Sequence, residues 1–204
     1  MRIYPVLKIT LVAISIVFVS TSAFARSQAF KDNIYNPGQL TPVASTLKVK
    51  VGEPAPDFTL PAITGDPVIL SQFRGTKNVV LSFVPAAWTP VCSDQWPGYN
   101  IVKHIFVQHD AILLGITVDN IPTLFAWTRR MISDGDNMWF PVLSDFWPHG
   151  AVADKYGVLR SDGMSERATF VIDKKGVIRY IAVHDINKRP PLEEMVRELG
   201  KLQN

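Results

Sequence analysis

Nearly continuous hydrophobic runs alternate with longer amphipathic stretches from residue 51 onward. Residues 79–84 and 111–118 are apolar at almost every position, which is typical of parallel strands that are covered on both faces. The segment between them, residues 92–108, is long enough for a crossover helix, and Pro97 must kink that helix or lie near its start. The pattern therefore predicts a βαβ unit with two central strands.

The second half of the chain carries a strand–turn–strand signal. Residues 168–172 and 177–181 are rich in β-branched and apolar side chains, and the turn between them contains Gly176, which tolerates a positive φ. A βαβ half followed by a ββα half predicts an α/β fold, a thioredoxin-like three-layer sandwich with a central mixed sheet. Three further helices are predicted, one capped by Asn120 and running to about residue 133, and two over residues 150–156 and 191–202.

The first 25 residues have the layout of a secretory signal peptide. Arg2 and Lys8 are followed by an apolar stretch, and Ala23 and Ala25 form a small-x-small cleavage site after Ala25. The uncharged stretch is short for a membrane span and contains several hydroxyl side chains, so a cleaved signal is favoured over a retained anchor. We therefore expect a periplasmic or secreted protein with no stable membrane insertion after cleavage.

The remaining chain divides into a leader and one domain. Residues 26–50 show neither helical nor strand periodicity and are predicted to form an N-terminal leader or linker, whereas residues 51–204 form one domain without internal repeats. The composition, 47% hydrophobic and 19% charged, is that of a globular protein. The formal charge of +3 falls to +1 when Arg2 and Lys8 leave with the signal, so no nucleic-acid partner is expected.

Cys92 is the single cysteine of the 204 residues, which excludes an internal disulfide and a two-cysteine redox pair. The four histidines lie far apart without ligand-like spacing, so neither a metal nor another cofactor is expected. The segment of residues 85–92 directly follows a predicted central strand and leads into a predicted helix, which Cys92 opens. A thiol in the first turn of a helix faces unpaired N–H groups and the positive end of the helix dipole, which favour the nucleophilic thiolate.

The residues around this cysteine carry a family resemblance. Pro85, Thr89 and Cys92 spell P-x-x-x-T-x-x-C, which resembles the active-site motif of peroxiredoxins, and Arg167 matches the position of that family's active-site arginine. The resemblance extends over essentially all of residues 51–202. Residues 145–153 are similar to one-cysteine peroxiredoxins of the alkyl hydroperoxide reductase E type.

The resemblance implies a thiol peroxidase and a role for each residue of the site. Cys92 would attack hydrogen peroxide or an organic hydroperoxide and become a sulfenic acid. Arg167 would stabilise the thiolate and hold the peroxide oxygens, while the Thr89 hydroxyl would accept a hydrogen bond from the hydroperoxide. Pro85 would cover the pocket and keep water out, and Trp88 would line it.

The resemblance also implies partners. With no second cysteine to resolve the sulfenic acid, the reductant must be an external thiol: a thioredoxin-like protein, a glutaredoxin-like protein or a small thiol. Relatives of this kind usually form homodimers, and Phe146 and Trp147 are candidate interface residues.

Two alternatives to the peroxidase remain at this point. Gln95 stands where many peroxiredoxins carry a glutamate, and residues 88–92 resemble a reductase W-C-x-x-C motif with Thr89 in place of its first cysteine. The chain could therefore be a monothiol thioredoxin-like disulfide oxidoreductase, or a redox-inactive thioredoxin-fold binding module. Taken singly, Cys92 also fits a buried structural cysteine, Thr89 a helix cap and Arg167 a surface salt-bridge residue.

Overall fold

The computed structural model describes residues 32–132 and 138–203. The predicted signal peptide, residues 1–25, lies outside the described residues. A five-stranded mixed sheet has the order β5-β4-β3-β6-β7, with β4 parallel to β3 and β5, and β6 antiparallel to β3 and β7. A separate short hairpin pairs β1 with β2. The strands are β1 Thr59–Leu60, β2 Val68–Ile69, β3 Asn78–Phe83, β4 Ala111–Thr117, β5 Val142–Ser144, β6 Arg167–Ile172 and β7 Ile178–His184.

Helices cover the sheet on both faces, as the predicted thioredoxin-like sandwich requires. They are α1 Pro90–Gly98, α2 Lys103–Gln108, α3 Ile121–Met131, α4 Ala151–Tyr156 and α5 Leu192–Gly200. The predicted crossover helix is divided in two. Pro97 has no N–H to continue the ladder, and α1 ends at Gly98, followed by a 3₁₀ turn over Tyr99–Val102 before α2 begins.

Alternating residues of the strands explain the three layers. Leu114 and Ile116 of β4 join a core that also contains Tyr156 of α4. Gly115 faces the opposite side, where a Cβ would lie 2.8 Å from Trp96 of α1. Trp96 and Trp127 pack there with ring centroids 4.9 Å apart. The nearly continuous hydrophobicity of β3 and β4 is thus explained, because both of their faces are buried.

Local signals mark the element ends as predicted. The Asn120 side chain accepts a hydrogen bond from the Thr123 N–H at 3.0 Å and caps α3. Gly176 has φ 80° in the turn between β6 and β7. Among the described residues, no helix is long and apolar enough to cross a membrane.

Residues 35–50, expected to form an extended leader or linker, contain no helix or strand and lie along the domain within one compact unit, Tyr35–Asn204. Their backbone is hydrogen-bonded to the domain in several places. The Lys48 N–H donates to the Tyr156 carbonyl at 3.3 Å, and the Ile186 N–H donates to the Pro42 carbonyl at 3.0 Å.

Candidate active site

The topology brings the functional side chains to one end of the central sheet. Strands β3 and β6 are antiparallel, and Phe83 at the carboxyl end of β3 pairs with Ala168 near the amino end of β6. Arg167 therefore begins its strand beside the loop that leads from β3 into α1. Its side chain projects toward the face covered by α1, because Ala168 belongs to the opposite core.

Cys92 lies in the first turn of α1. Thr89 is the N-cap in an extended conformation, and Pro90 occupies the first helical position, where its missing N–H costs nothing. The whole Cys92 residue is buried from solvent. The sulfur thus lies at the positive end of a helix and away from bulk water.

Arg167 is buried beside this sulfur and is 2% exposed. Its Nη2 donates to Cys92 Sγ at 3.5 Å and to the Ile186 carbonyl at 2.9 Å, and its Nη1 donates to Gln95 Oε1. No carboxylate of the described residues lies within ion-pair distance of the guanidinium. A buried cation held by neutral acceptors favours any anion that forms beside it, and the Cys92 thiolate is placed to be that anion.

A buried polar network fixes the orientation of Gln95. Its Nε2 donates to Tyr99 Oη at 2.6 Å, and Tyr99 Oη shares a 2.9 Å hydrogen bond with Ser82 Oγ. Burial raises the pKa of Tyr99, so the phenol stays neutral. Because the amide nitrogen faces Tyr99, the amide oxygen faces Arg167, which can only donate.

The loop between β3 and α1 is held from both sides. Asp119, just after β4, accepts a hydrogen bond from the Ala87 N–H at 2.7 Å. The Ser165 hydroxyl donates to the Val84 carbonyl at 2.8 Å. Trp88 has φ 60°, a left-handed conformation that is strained for a residue other than glycine. The surroundings of the loop therefore hold its strained backbone in place.

A cavity of about 170 Å³ opens onto this loop, and Pro85, Thr89 and Arg167 are among the residues that line it. The Thr89 hydroxyl donates to the Ala86 carbonyl at 2.9 Å, which leaves its oxygen able to accept a hydrogen bond from a ligand. A hydroperoxide in the cavity would meet the Thr89 hydroxyl and the guanidinium that touches the sulfur.

The structure brings together Cys92, Thr89, Arg167 and Pro85, although Cys92 lies behind the cavity rather than on its surface. Trp88, predicted to line the pocket, is not among the described residues that line it. The helix-cap interpretation of Thr89 is wrong, because its side chain makes no capping hydrogen bond. The surface interpretation of Arg167 is wrong as well, because the side chain is buried.

Sequence reasoning missed several residues that support the site. Asp119 follows the carboxyl end of a parallel strand, where polar residues often serve a site, and that position was a usable signal. Tyr99 had no such signal, nor did the Ile186 carbonyl, because a backbone acceptor from a distant loop leaves no mark in the sequence. Among the described residues, no group of three or more His, Cys, Asp or Glu is placed to hold a metal ion.

A thioredoxin-like sheet with a buried cysteine in the first turn of a helix, in contact with a buried arginine, defines a thiol-based redox enzyme. The family comparison makes the class specific. The model of the AhpC/TSA family matches residues 51–181, and the chain belongs to this peroxiredoxin family of thiol-dependent peroxidases.

Two individual relatives and one solved structure support the same family membership. The chain is 40% identical over 133 residues to alkyl hydroperoxide reductase E of Mycobacterium tuberculosis, covering 65% of this chain and 84% of that protein. It is 35% identical over 159 residues to peroxiredoxin TSA1-B of Candida albicans, covering 75% and 80%. Among solved structures, the reduced 2-Cys peroxiredoxin of Plasmodium vivax superposes with a TM-score of 0.69 at 28% identity, covering 76% and 82%.

Proposed function

We propose that this protein is an exported thiol peroxidase that reduces hydrogen peroxide and organic hydroperoxides through a sulfenic acid on Cys92. The observation that carries the proposal is the 3.5 Å contact between Arg167 Nη2 and Cys92 Sγ, made by a buried guanidinium whose other acceptors are neutral. That contact stabilises the reactive anion and places hydrogen-bond donors where charge develops on the departing oxygen.

The chemical step follows from these groups. The Cys92 thiolate attacks the terminal oxygen of the hydroperoxide, an S–O bond forms and the O–O bond breaks. The departing oxygen takes a proton and leaves as water or alcohol, while the sulfur is oxidised to the sulfenic acid. The Thr89 oxygen accepts the hydrogen bond that orients the hydroperoxide, and Pro85 closes the pocket against water.

Recycling uses an external thiol, because the chain has one cysteine. One thiol condenses with the sulfenic acid to form a mixed disulfide and water, and a second thiol releases Cys92 and an external disulfide. A thioredoxin-like protein, a glutaredoxin-like protein or a small thiol fits this role.

Mass spectrometry tests the proposal. Reduced protein treated with one equivalent of hydrogen peroxide should gain one oxygen atom, and peptide mapping should place it on Cys92. The Cys92→Ser variant should gain none. An unchanged mass, or oxygen confined to the methionines, would exclude the sulfenic acid mechanism.

The monothiol reductase hypothesis is the second candidate, and the W-T-x-x-C arrangement at residues 88–92 is the observation that favours it. It requires fast exchange of the Cys92 thiolate with protein disulfides. Thiol–disulfide exchange that outpaces oxidation by peroxide would support the reductase over the peroxidase.

We also propose that the enzyme forms a homodimer. Phe146 and Trp147 lie just after β5 and are 46% and 70% exposed, which is unusual for large apolar side chains that are close together. Sedimentation should show a dimer for the wild type and a monomer for Trp147→Arg. A wild-type monomer at micromolar concentration would overturn the assignment.

Export is proposed from the sequence of residues 1–25. Protein recovered from the compartment outside the inner membrane should begin at Arg26 by mass. Full-length protein retained in the cell interior would contradict cleavage and export.

A further inference from the structure

One wall of the active-site cavity comes from outside the family match. Residues 36–40 line the cavity together with Pro85, Thr89 and Arg167, whereas the family match begins at residue 51. The segment carries a turn at Gly38, which has φ 74° and donates its N–H to Asn36 Oδ1 at 3.0 Å. A segment expected to be a leader therefore forms part of the pocket.

The wall is attached to the same loop that holds the active-site arginine. The Asn187 side chain pairs with the Leu40 backbone through two hydrogen bonds, accepting from its N–H at 2.9 Å and donating to its carbonyl at 2.8 Å. The preceding residue, Ile186, donates its N–H to Pro42 and accepts from Arg167. The position of the wall is thus tied to that of the guanidinium.

A buried ion pair fixes the segment at a second point. Arg160 Nη1 and Glu166 Oε2 lie 2.9 Å apart, with both side chains almost fully buried. Glu166 Oε1 accepts from the Ala44 N–H at 2.7 Å, and Arg160 Nη1 donates to the Thr41 carbonyl at 3.2 Å. Both members of this buried ion pair also form hydrogen bonds with the backbone of residues 41–44. These residues are therefore held against the domain.

The cavity lining is part polar and part apolar. Thr89 and Arg167 are polar members of the lining, and Arg167 also contacts the sulfur of Cys92. A cavity of about 150 Å³ with apolar walls is large enough for a benzene ring, and this cavity measures about 170 Å³. The apolar side chains of the lining belong to Pro37, Leu40, Pro85, Pro90, Val91, Met164 and Ile186, and Asn36, Gln39 and Asn187 add polar ones.

We propose that residues 36–40 form a specificity wall that binds the organic group of a small alkyl or aryl hydroperoxide. The inference rests on the proposed peroxidase function and names the substrate class of that site. The organic group contacts Leu40 and Pro37, while the peroxide oxygens lie at Thr89 and Arg167. Hydrogen peroxide has no organic group and makes no use of the wall.

Leu40→Ala and Leu40→Asn test the wall, and the readout is the ratio of the oxidation rate constants for cumene hydroperoxide and hydrogen peroxide. Each variant should lower the ratio of the cumene hydroperoxide to the hydrogen peroxide rate constant about tenfold. Leu47→Ala is the matched control. Leu47 is an exposed leucine of residues 35–50, and it does not line the cavity. This control variant should leave the ratio unchanged.

Both rate constants are measured on the same sample. An unfolded fraction therefore affects both measurements equally, and its effect cancels in their ratio. A Leu40 variant with the wild-type ratio, or a Leu47→Ala variant with the same change in ratio, overturns the specificity wall. A wild type that reacts with neither peroxide overturns the proposed function instead, so the two failures are distinguishable.

Discussion

At the scale of single residues, the site depends on the buried cation of Arg167. Among the described residues, no carboxylate lies within ion-pair distance of its guanidinium. Gln95 accepts from Arg167 through a neutral amide oxygen, and Tyr99 fixes that amide in place. A carboxylate at position 95 would neutralise part of the guanidinium charge. The neutral amide leaves more of the positive charge to act on the sulfur of Cys92.

Gln95→Glu tests this reasoning. The new carboxylate competes with the Cys92 thiolate for Arg167, so we expect oxidation by hydrogen peroxide at neutral pH to slow about tenfold, measured by stopped-flow fluorescence. Asp94→Asn is the control on the same helix, since Asp94 is exposed and pairs with Arg189 at the surface. It should change the rate by less than about twofold. A Gln95→Glu enzyme as fast as the wild type would show that the neutral amide is irrelevant to reactivity.

At the scale of elements, the active-site helix is positioned by its packing on the central sheet. Gly115 of β4 leaves room for Trp96 of α1 and for Phe140, and a Cβ at this position would lie 2.8 Å and 2.9 Å from their rings. The absence of a side chain on the strand therefore sets how closely α1 approaches.

Gly115→Ala should destabilise the protein by about 1–3 kcal/mol, because two buried rings must move to admit the methyl group. Urea unfolding measures the change. Gly200→Ala is the matched control, since a Cβ there meets no atom within 4 Å and Gly200 ends α5. It should be neutral or stabilise by up to about 1 kcal/mol. Equal stability of Gly115→Ala and the wild type would contradict the close packing.

The elements that sequence predicted are those with a local physical signal. Buried central strands read as apolar runs, Asn120 capped its helix as expected, and Gly176 marked the hairpin turn. The hairpin of β1 and β2 was missed, because strands of two residues are too short to show a period. The fold was predictable because each of its major elements buries a face. This burial produces the pattern of hydrophobic and polar residues along the chain.

The candidate site was predictable only in part. Cys92, Thr89 and Pro85 are close in the chain, and Arg167 was placed by resemblance. The cavity wall at residues 36–40 and the Ile186 carbonyl that accepts from the guanidinium were not predictable. These segments reach the active-site cavity only after the chain has folded, and neither shows a repeating pattern.

At the scale of the whole molecule, the burial of His184 at the active-site end of the sheet makes the free energy of unfolding depend on pH. His184 ends β7 opposite Arg167 in the register of the sheet. Burial lowers the pKa of His184 below its ordinary value of 6.5; Glu194 opposes this effect, and Arg167 adds to it. The folded protein therefore takes up the proton at a lower pH than the unfolded chain does.

The stability that His184 contributes is present above its ordinary pKa of 6.5 and is lost as pH falls through the lowered value. We expect the free energy of unfolding to fall as pH is lowered below about 6.5, and the His184→Gln variant to show a shallower fall. Denaturant titrations at several pH values measure it. His104→Gln, at an exposed histidine on α2, should retain the wild-type slope. Identical slopes for the two variants would contradict the role of His184.

The proposed peroxidase function depends on how fast Cys92 reacts with hydrogen peroxide. Stopped-flow mixing of the reduced protein with hydrogen peroxide at neutral pH gives its second-order rate constant directly, with Cys92→Ser as the blank. We expect a rate constant at least about a hundredfold above that of free cysteine, because the helix N-terminus and Arg167 stabilise the charges that react. A rate constant no greater than that of free cysteine would contradict the assignment of Cys92 as the peroxide-reducing thiol.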